Sequence, residues 1–286
     1  MLQDIAPLRL DNRWQLEQVV QADSVIVHFQ QSKVLVRTAA ASADPLFPLA
    51  AMVVGEDQSA NYRYLFHIGG QSYFLCLAEH VRVPAGYGYE PARQVRTAKQ
   101  APRSTFFAFY TAWHLATWYQ HTRFCGHCGQ TMQPDGAERA MRCPACGHVE
   151  YPRINPAIIA GVINGDQILL TKYATQHLGH HSTFYALIAG FTEIGETLEE
   201  TVAREVYEEV GLYVKNVRYY KSQPWGSAAD ILAGFYCDVD GSTQIHMDKQ
   251  ELSRAIWVPR EQVVLQPDDW SLTNEMMARF RDGQSC

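Results

Sequence analysis

The chain has 286 residues, 47% hydrophobic and 19% charged, enough for a substantial core and two domains of an ordinary globular protein. Its 24 Lys+Arg against 30 Asp+Glu leave a net charge of -6, which excludes broad electrostatic adhesion to nucleic acid but not binding of one nucleotide or one RNA end. No apolar run approaches the ~20 residues of a membrane span, and the amino terminus lacks a basic-then-apolar signal pattern. No membrane partner is therefore expected, and the chain is expected to stay where it is made, in the cytoplasm.

Residues 1–98 read as a small β-rich module. Residues 24–30 alternate apolar and polar side chains, Gln31-Ser32-Lys33 turns, and residues 34–37 return, which predicts a hairpin. Residues 62–67, Gly69-Gly70 and residues 72–77 repeat that design. His28, His67 and His80 stand alone and carry no catalytic constellation. Residues 84–103, with Pro84, Gly86, Gly88, Pro91 and Pro102, have the composition of a linker. Ser104 then caps a linking helix within residues 99–122 that carries Phe106, Phe107, Tyr110, Trp113, His114 and Trp118. An aromatic stripe of this kind is core or subunit interface rather than a ligand box.

Cys125-Gly126-His127-Cys128 and Cys143-Pro144-Ala145-Cys146 follow within residues 123–152. Paired C-x2-C knuckles at this separation predict a four-thiolate zinc ribbon, closed to substrate and contributing folding free energy. His127 is a substitute ligand that four thiolates do not need. Two disulfides are the other use of these thiols, but nothing points to an oxidising compartment. Cys76, Cys237 and Cys286 show no partner spacing.

From Tyr151 the pattern is α/β, with strands predicted at 157–163, 167–172, 184–189, 217–222 and 231–239, and a last amphipathic helix at 273–281. His177, His180 and His181 form a polar loop cluster before Phe184. Between the third and fourth strands runs Gly190-Phe191-Thr192-Glu193-Ile194-Gly195-Glu196, continuing through Arg204-Glu205-Val206-Tyr207-Glu208-Glu209-Val210-Gly211-Leu212. It reads G-x5-E-x7-R-E-U-x-E-E-x-G-U, U being bulky and aliphatic. Thr197 with Glu200 makes a capping box, and Gly211 supplies the left-handed stop. Leu198, Val202, Val206 and Val210 form a stripe to bury, while Glu205, Glu208 and Glu209 project from a neighbouring face. Carboxylates so crowded repel one another unless hard cations such as Mg²⁺, which favour oxygen ligands, lie between them. Arg204 is placed to pair with Glu200 or Glu208. Gly190 is expected where a strand ends and the loop begins, at the rim of a sheet.

This segment resembles the Nudix box, the signature of hydrolases that cleave nucleoside diphosphates linked to another moiety. The resemblance implies an α/β/α sandwich with a mixed sheet over residues 153–286. Glu205, Glu208, Glu209 and the Gly190 carbonyl would hold Mg²⁺ or Mn²⁺, Arg204 would orient the acids, and Glu196 would support the loop. The ribbon, Tyr151-Pro152-Arg153-Ile154, the box and Ser222-Gln223-Pro224-Trp225 together resemble the NADH pyrophosphatase branch. That likeness covers about residues 100–286 and implies a homodimer that splits NADH or NAD⁺ into AMP and nicotinamide mononucleotide, with NAD-capped RNA ends as a further substrate in some relatives. Carried over residue by residue, Tyr151, Phe191 and Trp225 would offer aromatic surfaces to the bases and Gln223 a polar contact. Glu251 would complete the metal site, and Glu209 or Glu251 would serve as base.

One segment departs from the family pattern. The family continues S-Q-P-W-P-F-P-x-S, whereas here Trp225 precedes Gly226-Ser227-Ala228-Ala229-Asp230. A more flexible loop and a reshaped pocket are expected, with Asp230 repelling a phosphate or engaging a ribose hydroxyl. ADP-ribose, nucleotide sugars and dinucleoside polyphosphates therefore remain alternative substrates. A regulator that binds nucleic acid through the ribbon and uses the box as a sensor is the reading from another class, but such sensors lose box acids and this box is whole.

Overall fold

The computed structural model describes residues 1–15, 17–38, 45–53, 62–98, 100–174 and 184–284. The cluster expected from His177, His180 and His181 lies outside them, as does Cys286. The chain divides into two compact units, one of Met1–Leu2, Ile154–Trp225 and Ala229–Cys286, the other of Gln3–Arg153 and Gly226–Ala228.

The second of these units contains a six-stranded sheet. Its strands are β1 (Leu10–Asp11), β2 (Val25–Gln30), β3 (Lys33–Arg37), β4 (Tyr62–Ile68), β5 (Gln71–Cys76) and β6 (Tyr87–Pro91), in the order β1-β4-β5-β2-β3-β6. Both expected hairpins form, the second turning on Gly69 and Gly70 at φ of 57° and 86°, values that an L side chain resists. The expected linker at 84–103 does not. Residues 87–91 pair with β3, from Arg37↔Tyr87 to Lys33↔Pro91, and short helical turns follow at Ala92–Gln94 and Val95–Ala98. β6 is an edge strand, where proline and glycine leave the ladder intact, so its composition imitates a linker.

Helix α1 (Arg103–His121) begins after Pro102, which makes no side-chain cap, so the expected Ser104 cap is a helical residue instead. Its aromatic stripe is core: Phe106, Phe107, Tyr110 and Trp118 are buried, and Phe109 stacks on Phe47 with ring centroids 5.8 Å apart. The ribbon adds a small sheet of β7 (Gln133–Pro134), β8 (Met141–Arg142) and β9 (Val149–Glu150).

The other unit is built on a mixed sheet of β10 (Asn155–Asn164), β11 (Gln167–Tyr173), β12 (Ile188–Phe191), β13 (Tyr213–Trp225), β14 (Asp230–Asp240) and β15 (Leu252–Pro259). The order is β13-β14-β10-β11-β15, with β12 also on β10. β10 runs parallel to β14 and antiparallel to β11 and β12. Ile158, Ala160 and Val162 face one side of β10, where Val202, Val206 and Val210 of α2 (Leu198–Val210) complete a core. Ile159 faces the other, with Leu272, Met276, Met277 and Phe280 of α3 (Leu272–Arg281). Strand alternation on one buried strand thus serves both helices, giving the α/β/α sandwich.

Two elements differ from the sequence reading. The strand expected at 184–189 lies at Ile188–Phe191, because Ala157–Ala160 of β10 pair with Phe191–Ile188, and Gly190 sits inside it. β15 was not foreseen, although it supplies an edge of the sheet.

The segment after Trp225 is not the slack loop its small residues suggest. Gly226 is buried, and a Cβ added there would lie 2.1 Å from the Tyr110 carbonyl oxygen of α1. The proline of the family pattern has no room here. Gly226→Ala is expected to lower stability by about 1–3 kcal/mol, read as a lower urea midpoint; an unchanged midpoint would mean the segment is free to move.

Candidate active site and metal centre

Helix α2 carries the box acids, and its ends are set locally. The Thr197 hydroxyl accepts from the Glu200 N–H while the Glu200 carboxylate accepts from the Thr197 N–H, and Gly211 ends the helix at φ 69°. Glu200 is thereby committed to the cap and does not meet Arg204. The guanidinium grips Glu196 in a two-pronged pair, with Nε to Oε1 at 2.6 Å and Nη2 to Oε2 at 2.9 Å. Its Nη1 donates to Glu205 Oε1 at 2.8 Å and Glu208 Oε2 at 2.9 Å, and its Nη2 to the Phe191 carbonyl at 2.9 Å. The arginine beside it holds the Glu196 carboxyl down at about 2, and Glu196 also accepts from the Glu193 N–H and the Thr201 hydroxyl.

Glu209 is 1% exposed, and its Oε2 has no hydrogen-bond partner. Burial, followed by the charges of Glu205 and Glu251, pushes its carboxyl up to about 8, against a lowering by the Ala189 N–H. Burial also raises Glu205, which feels Glu208 and Glu251. Glu205 lies flat against Gly190, where a Cβ would fall 2.0 Å from its carboxyl carbon. Only a residue without a side chain permits this approach. Glu251 directly precedes β15, and the N–H of Ala174, the residue after β11, donates to its carbonyl at 2.8 Å. Glu205, Glu209 and Glu251 therefore gather at one rim of the sheet, while Glu208 turns outward onto Arg204 with 58% of its side chain exposed.

A buried carboxylate with a spare oxygen and like-charged neighbours fits a hard divalent cation, which would offset the charge that burial penalises. Tyr173 belongs to the same cluster and was not foreseen. Its phenol is pushed upward by burial and then by Glu209, Glu205 and Glu251. A register shift between Lys172 and Tyr173 sets that residue opposite Leu252, and no local sequence pattern announces such a bulge.

Without added Mg²⁺ or Mn²⁺, Glu209 makes stability depend on pH. Below about 4.5 its carboxyl is protonated in folded and unfolded chains alike; above that the unfolded chain ionises first, so stability falls as pH rises through about 8. Glu209→Gln is expected to gain on wild type across that window, by up to several kcal/mol. Denaturation of zinc-loaded protein at both ends of the window measures this, and an equal difference at both ends counts against a buried ionisable Glu209.

Of the expected base contacts, Phe191 is 54% exposed and Trp225 half-buried at the end of β13. Tyr151 lies in the other unit, where its hydroxyl donates to Glu138 at 2.7 Å. Gln223 makes contacts within its own unit. It is fully buried, its Nε2 donates to the Trp270 carbonyl at 2.8 Å, and its Oε1 accepts from the Leu272 N–H at 2.7 Å, joining β13 to the start of α3. Asp230 is 6% exposed beneath the surface expected of it, and burial pushes it up to about 6.

In the ribbon, Cys125, Cys128, Cys143 and Cys146 are the only His, Cys, Asp or Glu group among the described residues whose ligand atoms all lie within 4.8 Å. The Sγ atoms of Cys125 and Cys146 are 3.7 Å apart, and those of Cys128 and Cys143 3.5 Å. A tetrahedron with zinc–sulfur bonds of ~2.3 Å has edges of about 3.8 Å, so the four thiols fit zinc. His127 is not part of this group, and the four cysteines are unbridged.

Residues 153–280 match the NUDIX domain family, and residues 120–151 match the NADH pyrophosphatase zinc ribbon domain. A protein named NAD-capped RNA hydrolase NudC from Enterobacter sp. strain 638 is 40% identical over 163 residues, 57% of this chain and 61% of that protein. Its namesake from Salmonella paratyphi C is also 40% identical over 163 residues, 57% of this chain and 62% of the relative. The chain thus spans about three-fifths of the length of these relatives. A solved NUDIX hydrolase from Nitrosomonas europaea is 18% identical, with a TM-score of 0.47, covering 57% of this chain and 95% of that one. The chain carries a Nudix domain joined to a zinc ribbon of the NADH pyrophosphatase kind.

Proposed function

We propose that the protein hydrolyses the pyrophosphate bond of NADH or NAD⁺, giving AMP and nicotinamide mononucleotide, and acts likewise on NAD-capped RNA. The observation that carries this reading is Glu209, buried with a spare carboxylate oxygen among Glu205 and Glu251, in a Nudix domain attached to this type of ribbon. The names of the relatives support the substrate.

Mg²⁺ or Mn²⁺, when bound, would neutralise phosphate charge and make water a stronger nucleophile. Glu205, Glu208, Glu209 and Glu251, with the Gly190 carbonyl, would hold the ions. Arg204 keeps Glu205 and Glu208 from drifting, since its donors are already engaged on Glu196 and the Phe191 carbonyl. Glu209 or Glu251 accepts the proton of the attacking water. Phe191 and Trp225 offer faces to the bases. Four unbridged cysteines suit a reducing compartment and support a cytoplasmic location. A homodimer is proposed from the resemblance, and the exposed Tyr207–Tyr213 pair, with ring centroids 5.0 Å apart, supplies apolar surface of the kind interfaces use.

A second reading, ADP-ribose or a related nucleoside diphosphate, is favoured by the one departure in the substrate segment. Buried Gly226 and Asp230 stand where the family pattern has proline and serine. With Mn²⁺ and a panel of NADH, NAD⁺, ADP-ribose and a dinucleoside polyphosphate, NADH is expected to be cleaved fastest. ADP-ribose greatly outpacing it establishes the second reading. Glu205→Gln and Glu209→Gln should each lower turnover by roughly 10³-fold or more with zinc content unchanged, the scale on which removing central charge-stabilising groups acts. Wild-type rates in both variants refute the site.

A further inference from the structure

A cavity of about 820 Å³ opens wholly within the unit that carries the ribbon, its wall including Phe29, Arg63, Tyr119, Arg123 and Phe124. None of the box carboxylates lines it, and its size falls within the roughly 300–1,000 Å³ usual for small-molecule sites. Arg123 is exposed, sits 5.8 Å from the centroid of the Phe124 ring, and makes no ion pair among the described residues. Phe124 is 60% exposed, so packing does not account for it. Glu79 is the single carboxylate among the described lining residues. In a chain of net charge -6, this is a local concentration of cation beside an open aromatic face.

We propose that this cavity binds a 5′-phosphorylated nucleoside, free or at the end of an RNA strand, with its base stacked on Phe124 and its phosphate held by Arg123 and Arg63. An apolar ligand would leave Arg123 without a counter-charge. A simple anion would leave the exposed Phe124 face without a stacking partner. A nucleotide answers both, because every base has a π-face and stacking on aromatic side chains tolerates any sequence. The ribbon fixes the two residues in place: Phe124 bridges Thr131, the Met132 N–H donates to the Arg123 carbonyl at 3.0 Å, and the Cys125 N–H donates to the Gln130 carbonyl at 2.8 Å. The zinc knuckle thus shapes one wall of a ligand site while its own metal shell stays closed. This goes beyond the hydrolytic reading and does not depend on it.

Titration of zinc-loaded, full-length protein with 5′-AMP, without added Mg²⁺ or Mn²⁺, tests the site by calorimetry. A binding event is expected that Arg123→Glu and Phe124→Ala each weaken by about tenfold, the scale of one lost stacking contact. Trp225→Ala and Glu205→Gln should leave that event intact, which separates it from the Nudix pocket. Both substituted side chains are exposed, so unchanged zinc content and circular dichroism are the fold control. AMP binding that neither substitution weakens, or that Trp225→Ala alone removes, overturns the proposal. Among supporting results, a 5′-phosphorylated trinucleotide that binds more tightly than AMP assigns the site to an RNA end, and equal affinity assigns it to the free mononucleotide.

Discussion

The candidate site rests on a single guanidinium. Arg204 meets Glu196 with Nε and Nη2, reaches Glu205 and Glu208 with Nη1, and reaches the Phe191 carbonyl with Nη2. A planar fork can do this where a lysine ammonium cannot, because its donors are fixed relative to one another. The loop ahead of α2, the helix and the end of β12 are pinned to one point. Yet one positive charge stands among three acids, and Glu209 and Glu251 lie beyond its contacts. Glu205, Glu208 and Glu209 also occupy the last turns of α2, which has no basic residue in its final turn, so the negative end of the helix dipole adds to the repulsion. Folding alone leaves this charge unbalanced, and a cation bound there would be stabilised by what the fold has not compensated.

The sheet tolerates that cost because its two hydrophobic layers are extensive and share one strand. Close approach matters more than glycine's backbone freedom. At Gly190 the missing side chain admits the Glu205 carboxylate, and at Gly234 a Cβ would lie 2.7 Å from the Met276 sulfur of α3. One contact brings α2 down onto the strand end, and the other lets the opposite helix settle. Enlarging Gly190 displaces the Glu205 carboxylate, and enlarging Gly234 displaces the Met276 side chain.

What the sequence made legible was local chemistry. The capping box, the αL stop, the buried stripe of α2 and the paired cysteine knuckles each follow from residues close together in the sequence. What escaped depends on partners far along the chain. Gln223 sits in a string that reads as a ligand contact, but its amide reaches Trp270 and Leu272, which only the folded sheet brings near. Tyr173 joins the carboxylates through a register shift against β15, and an irregularity of that kind has no composition of its own. The edge strand β6 was hidden for the opposite reason, since its proline and glycine are what an edge strand and a linker have in common.

The departure after Trp225 shows how a family pattern can change without loosening. Substituting small residues for two prolines and an aromatic removes stiffness from the chain itself. Here stiffness returns from outside, because Gly226 packs where a side chain would strike the Tyr110 carbonyl. Asp230, next across the turn, is buried at the head of β14 and opposes Trp225 in register. Burial pushes the Asp230 carboxyl up to about 6, so it ionises at higher pH than a surface aspartate. The substitution therefore exchanges stiffness within the segment for close packing at Gly226 and burial of Asp230.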